Sequence, residues 1–182
     1  MMLKLKNILN EISEDEATRL LSKIKNKELT FLGSGDNGKV YSINGEDLLF
    51  KITTEPEELA IADVIVGRPN EFDAFIPVYY SDSQKRMYIM NRASELPNNL
   101  KSELDRYYED YKEFARSQGL ETSIFDYLNT EASRKYNPRI ITFLRALEQQ
   151  VKKTGIGDIE YSLDFRPENI MSWNGNLVMI DW

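Results

Sequence analysis

Leu163-Asp164-Phe165-Arg166-Pro167-Glu168-Asn169-Ile170-Met171 lies between the clearest helical pattern of the chain and a closing hairpin pattern. Upstream, Asn137 can cap a helix, Pro138 suits its first position, and Ile140, Phe143, Leu144, Leu147 and Val151 form one stripe. Gly155 follows the basic end of that helix. Downstream, Ile170-Met171-Ser172-Trp173 and Leu177-Val178-Met179-Ile180 flank Asn174-Gly175-Asn176, a hairpin signal. Taken alone, the polar run between them reads as an ordinary loop turn, and its weight depends on what the rest of the chain supplies.

Working back from it, the spacing predicts a helix from Leu100 to Arg116, and strands at 75–80 and 86–91 around a polar turn at Ser81-Asp82-Ser83-Gln84. A helix is expected at 55–66, opened by Thr54 with Glu57 three positions on and ended by Gly67 and Pro69. Residues 28–53 read as short strands broken by glycine and by Asn44-Gly45, a pair suited to the two positive φ angles of a tight turn. Residues 1–27 carry two short amphipathic patterns, Leu5, Ile8, Leu9, Ile12 and then Ala17, Leu20, Leu21, Ile24, with a capping box at Ser13-Glu14-Asp15-Glu16 starting the second. The order is α+β: an N-terminal helical extension at 1–27, a small antiparallel sheet with one helix at 28–96, and a mainly helical part at 97–182. A lobe boundary is expected near 93–99.

Composition removes several chemistries. With no cysteine and no histidine, disulfides, thiolate zinc sites, Ser-His-Asp triads and His-based metal sites are excluded. Catalysis has to use carboxylates, Lys, Arg, Tyr, Ser/Thr and a borrowed metal. Thirty Asp+Glu against 23 Lys+Arg leave a formal charge of −7, which disfavours a nucleic-acid backbone as partner. The longest stretch without a charged residue, Asn169 to Ile180, is a dozen residues interrupted by Asn-Gly-Asn and too short for a bilayer. Met1-Met2-Leu3-Lys4 begins no apolar signal core, so a cytoplasmic location with no membrane partner is expected.

Gly33-Ser34-Gly35-Asp36-Asn37-Gly38-Lys39-Val40 is compatible with three nucleotide motifs. A P-loop needs Ser or Thr after Gly-Lys and a following helix, and here Val40 follows. The dinucleotide fingerprint also needs a helix, whereas Val40-Tyr41-Ser42-Ile43 alternates into a turn. Strand-loop-strand fits the glycine-rich loop of kinases, in which a hairpin without side chains closes over a triphosphate. The bland alternative is a plain hairpin with glycine at its turns. In Asp47-Leu48-Leu49-Phe50-Lys51-Ile52-Thr53, period two sets Leu48, Phe50 and Ile52 on one face and Leu49 with Lys51 on the other. A solvated lysine is the ordinary reading. A lysine holding α- and β-phosphate oxygens would need a carboxylate to aim it. Glu57 and Glu58 compete for that role, and Glu58 is favoured because it shares a face with Ile61, Ala62 and Ile65.

With these pieces in order, the run at 163–171 resembles the catalytic loop of the protein-kinase superfamily, which reads Asp, apolar, Lys, Pro, Glu, Asn, apolar; here Arg stands for Lys. The resemblance spans about Leu29 to Asp181. It implies a kinase-like fold with a small antiparallel-sheet N-lobe and a reduced helical C-lobe, with ATP and Mg²⁺ as cofactors. It casts Asp164 as the catalytic carboxylate at the substrate hydroxyl, Arg166 as a cation on the transferring phosphate, and Lys51 on the other phosphates. Asn169 and, twelve positions on, Asp181 would be the metal ligands. Nucleotide contacts would come from Gly33, Ser34, Gly35, Gly38, Val40, Lys51 and Glu58, and, around the adenine-binding hinge after Met87-Tyr88-Ile89-Met90, from Met90 and Arg92. Five side chains scattered from position 51 to position 181, those of Lys51, Asp164, Arg166, Asn169 and Asp181, are then expected to converge on one metal-bound triphosphate.

The compactness looks like the small serine/threonine kinases encoded by some bacteriophages. The chain departs from the family in three places. Ser162-Leu163 replaces His-Arg, removing the arginine that receives an activation-loop phosphate; Asn37 replaces the aromatic at the glycine-loop tip; and Trp182, not Phe-Gly, follows Asp181. Asp-Trp also occurs in small-molecule kinases of the aminoglycoside and choline type. Three functions therefore compete: a protein serine/threonine kinase of minimal type, a pseudokinase acting as a binding module, and a small-molecule kinase. The partners implied are a protein substrate or the chain itself, with a homo-oligomer as a further candidate.

Overall fold

A computed structural model describes residues 14–35, 38–118, 122–156, 163 and 165–182, so the helix expected within residues 1–12 lies outside the described residues. The chain divides into two compact units, residues 1–72 with 76–92 and residues 73–75 with 93–182. Five antiparallel strands in one unit and mainly helices in the other make the protein α+β.

The first unit begins with α1 (Glu14–Lys25) and continues with β1 (Leu29–Gly35), β2 (Gly38–Ile43), β3 (Leu48–Thr53), α2 (Pro56–Ile65), β4 (Val78–Asp82) and β5 (Met87–Asn91). The strands are ordered β1-β2-β3-β5-β4, all neighbours antiparallel. Period-two alternation sorts the sheet into two faces. On one, Leu20 of α1 joins Ile43, Phe50, Met87 and Ile89 in a buried apolar cluster. Leu21, Ile24 and Tyr41 pack around it, which is what the apolar stripe of α1 is for. On the other, Lys51 and Tyr88 meet α2 through Glu58, described below.

Three local expectations shift. The capping box at Thr54 does not open α2: its N-cap is Glu55 and Pro56 is the first helical residue, because the fixed φ of proline sets the start one residue later. The Asn44-Gly45 turn is longer than a two-residue hairpin, and of the pair only Gly45 has positive φ (78°). Lys23 Nζ donates to the Asn44 carbonyl at 2.8 Å and to Glu46 Oε1 at 2.6 Å, tying the widened turn to α1. The fourth strand starts at Val78 and not at 75. Pro77 lacks an N–H, and Phe75 belongs to the second unit, bridging Met179. The turn accordingly moves to 83–86, with Arg86 at φ 53°.

In the second unit α3 spans Asn98–Gln118, α4 Ile124–Leu128 and α5 Pro138–Thr154, followed by β6 (Ile170–Trp173) and β7 (Asn176–Met179). Helix α5 follows the expected chemistry: Asn137 Oδ1 accepts from the Arg139 N–H at 3.0 Å, and Gly155 closes it at φ 68°. Helix α4 was not expected, yet Ser123 and Asp126 form a reciprocal capping box around it and bury Ile124, Phe125, Tyr127 and Leu128. The β6–β7 pair turns on Asn174 and Gly175, both with positive φ (49° and 80°), the two-residue geometry that Asn-Gly favours.

Candidate functional site

In the first unit the register aligns Gly33 with Val40, Val40 with Lys51 and Lys51 with Tyr88, one row across four strands. Directly opposed residues share a face, so the predicted nucleotide residues Gly33, Val40 and Lys51 lie in line. Ser34 pairs with Lys39 and Gly35 with Gly38, while the hairpin tip, Asp36 and Asn37, lies outside the described residues. The three glycines differ in what they do. A Cβ on Gly38 would come within 2.2 Å of the Ile52 carbonyl oxygen, so this glycine is required by the approach of β2 to β3. A Cβ on Gly33 or Gly35 would meet nothing within 4 Å, so nothing in the packing of the described residues demands a glycine there.

Lys51 is 5% exposed and Glu58 is 1% exposed, and the ammonium is ion-paired to Glu58 Oε1. Glu58, not Glu57, is the partner. The inward face of α2 carries it together with Ile61, Ala62 and Ile65, all buried. The carboxylate gathers two further donors: Tyr88 Oη donates to Oε1 and Thr53 Oγ1 to Oε2. Thr53 Oγ1 also accepts from the Glu55 N–H at 3.1 Å, linking the end of β3 to the start of α2. A charge this deep persists only if it is paired and hydrogen-bonded, and the cluster meets that condition with a cation and two hydroxyls. The sequence reading did not include Thr53 and Tyr88. Thr53 was within reach of it, two residues from Lys51 on the same strand face, whereas Tyr88 depends on the β3–β5 register.

Met90 is buried on the same strand face as Tyr88, and Arg92 is exposed just beyond β5. The N–H groups of Asn91 and Arg92 are taken by the carbonyls of Pro77 and Asp47 at 3.1 and 3.2 Å.

The second unit holds the rest of the predicted set. Asp164 lies outside the described residues. Phe165 and Pro167 are buried and Arg166 is exposed between them. Pro167–Asn169 make one tight helical turn, closed by the Asn169 N–H on the Arg166 carbonyl at 3.0 Å. The Asn169 carbonyl accepts from the Ile180 N–H at 2.9 Å, continuing the β6–β7 ladder, so Asn169 and Asp181 sit at the open end of one hairpin. Both are half-buried. Among the described residues no group of three or more acidic side chains could cage a metal by itself. One carboxylate and one amide oxygen suit Mg²⁺, a hard ion that takes its remaining ligands from water and substrate phosphates. A cleft of about 330 Å³ also exists in this unit, lined by Asp73, Arg139, Phe143, Asn176 and Leu177 among others, and none of the predicted site residues lines it.

No family model matches this chain, and no curated protein matches it. Among solved structures it is similar to one described as a ternary complex of streptomycin, ATP and APH(2″)-IIa, at 16% identity and a TM-score of 0.36, over 94% of this chain and 70% of that one. At that identity and score the likeness assigns no activity, and the functional reading rests on the chain's own residues.

Proposed function

We propose that the protein is an ATP-dependent phosphotransferase, and that it passes the γ-phosphoryl group of Mg·ATP to a serine or threonine hydroxyl of protein. The observation that carries this reading is the buried Lys51–Glu58 ion pair, set in a sheet row with Val40 and Gly33. An ammonium held by a fixed carboxylate keeps a constant direction, which suits it to phosphate oxygens. Gly33 and Gly35 leave the β1–β2 backbone open to close approach. In the same reading Asn169 and Asp181 ligate magnesium, which would supply charge neutralisation between the phosphates. Arg166 contributes positive charge to the transferring group, and Asp164 accepts the hydroxyl proton.

The test is incubation with labelled Mg·ATP and, in separate reactions, a cell lysate and an aminoglycoside. Lys51→Ala and Asp164→Asn serve as controls. Label on protein that both substitutions abolish supports the reading; label on the aminoglycoside alone redirects it to a small-molecule acceptor. Binding of ATP without transfer makes the protein a binding module, and no ATP binding at all sinks the proposal.

A further inference from the structure

Resting on the reading of Lys51 as a phosphate ligand, we infer that Tyr88 and Thr53 are positioning residues for that lysine, acting through Glu58. The geometry is a carboxylate pinned at both oxygens. Lys51 and Tyr88 share Oε1, and Thr53 holds Oε2. A carboxylate held only by a lysine can rotate about its last bonds and carry the ammonium with it. Two hydroxyl donors from two different strands remove that freedom, because Thr53 ends β3 and Tyr88 lies on β5, directly opposite Lys51.

The donors also divide the work. Tyr88 Oη competes with the ammonium for one oxygen, so it fixes where on Oε1 the lysine can bind. Thr53 fixes the other end of the group and, by accepting from the Glu55 N–H, ties the carboxylate's position to the first turn of α2. All four side chains are buried, with Thr53 and Tyr88 fully so, and water is not at hand to replace a missing hydroxyl. Loss of either hydroxyl should therefore loosen the direction of the ammonium while the sheet stays intact.

The experiment measures dissociation constants for ATP and for adenosine on the full chain and on Tyr88→Phe, Thr53→Val and Thr53→Ser, each also in a Lys51→Ala background. Tyr88→Phe and Thr53→Val are expected to weaken ATP binding about three- to tenfold, leave adenosine unchanged, and have no further effect once Lys51 is alanine. Thr53→Ser, which keeps the hydroxyl, is expected to bind ATP as the wild type does. Equal losses for ATP and adenosine, or a loss that persists without Lys51, would mean a merely structural role and overturn the inference. So would unchanged ATP affinity in Tyr88→Phe and Thr53→Val. If Tyr88→Phe does not fold, the Thr53→Val and Thr53→Ser pair reads the same coupling. Wild-type protein that binds adenosine and ATP equally, or neither, overturns the phosphate-ligand reading itself, and this inference with it.

Discussion

The rings of Phe75 and Trp182 meet edge-to-face, 5.5 Å between centroids and 87° between planes. Phe75 is fully buried and Trp182 is 7% exposed. The contact seats the residue next to Asp181, and the Met179 N–H, donating to the Ala74 carbonyl at 2.8 Å, fixes the same strip of chain from the other side. The proposed metal carboxylate is thus the immediate neighbour of a ring anchored in the core.

Trp182→Ala should therefore destabilise the protein by about 3 kcal/mol, the scale for deleting a buried large aromatic. Trp182→Phe, which keeps an apolar ring, should cost about 1 kcal/mol. Urea denaturation followed by circular dichroism measures both; equal, negligible losses would show that the ring contact does not anchor the segment.

The glycines of the β1–β2 hairpin should separate by role. Gly38→Ala forces a Cβ against the Ile52 carbonyl and should cost about 1–3 kcal/mol. Gly33→Ala and Gly35→Ala, with open space around them, should change stability by no more than about 0.5 kcal/mol. If the hairpin covers a triphosphate, these last two should nonetheless weaken ATP binding threefold or more. Stability and nucleotide titrations on the same three variants distinguish the outcomes, and an unaffected ATP affinity would leave the hairpin as plain structure.

What the sequence disclosed depended on how local the controlling chemistry was. Helix α5 was legible because Asn137, Pro138 and Gly155 cap it from its own ends. Glu58 could be preferred over Glu57 because helix period alone separates the face with Ile61 and Ala62 from the other. The start of α2 was misplaced because two local signals, a capping box at Thr54 and a proline at 56, competed and the proline prevailed. The turn after β2 widened because Lys23 and Arg19, more than twenty residues away, bind Glu46. The hydroxyl of Tyr88 on Glu58 was not legible at all, since it follows only from a strand pairing that reverses sequence order, with β5 between β3 and β4.

Acid should weaken the docking of α1. The Arg19 guanidinium, with the Lys23 ammonium, holds the Glu46 carboxyl down to about 2 from its ordinary 4.5. A carboxyl depressed in the folded state stabilises it above the unfolded value, so this contribution is complete above about pH 5 and fades as pH falls toward 2. Arg19 is half-exposed, so solvent screening keeps the contribution small. Glu46→Gln should be less stable than the wild type at pH 7, and most of that difference should be gone by pH 2. Parallel denaturation curves across that range, with the wild-type advantage constant at every pH, would contradict the assignment.

Magnesium dependence is the sharpest test of the hairpin end. The Ile180 N–H to Asn169 carbonyl bond puts Asn169 and Asp181 at the same end of the hairpin, and in the proposed reading they supply one neutral and one charged oxygen. Such a pair binds Mg²⁺ weakly alone and well only when phosphate oxygens complete the shell. Wild-type protein should thus bind ATP at least tenfold more tightly with Mg²⁺ than with chelator. Asp181→Asn should erase most of that gain, and Asn169→Ala part of it, while affinity for ATP in chelator stays the same. Because Asp181→Asn keeps its shape and leaves Trp182 on Phe75, its melting temperature should stay within about 2 °C of wild type. If the magnesium-dependent gain survives both substitutions, the ion is held elsewhere, and the roles given to these two residues fall.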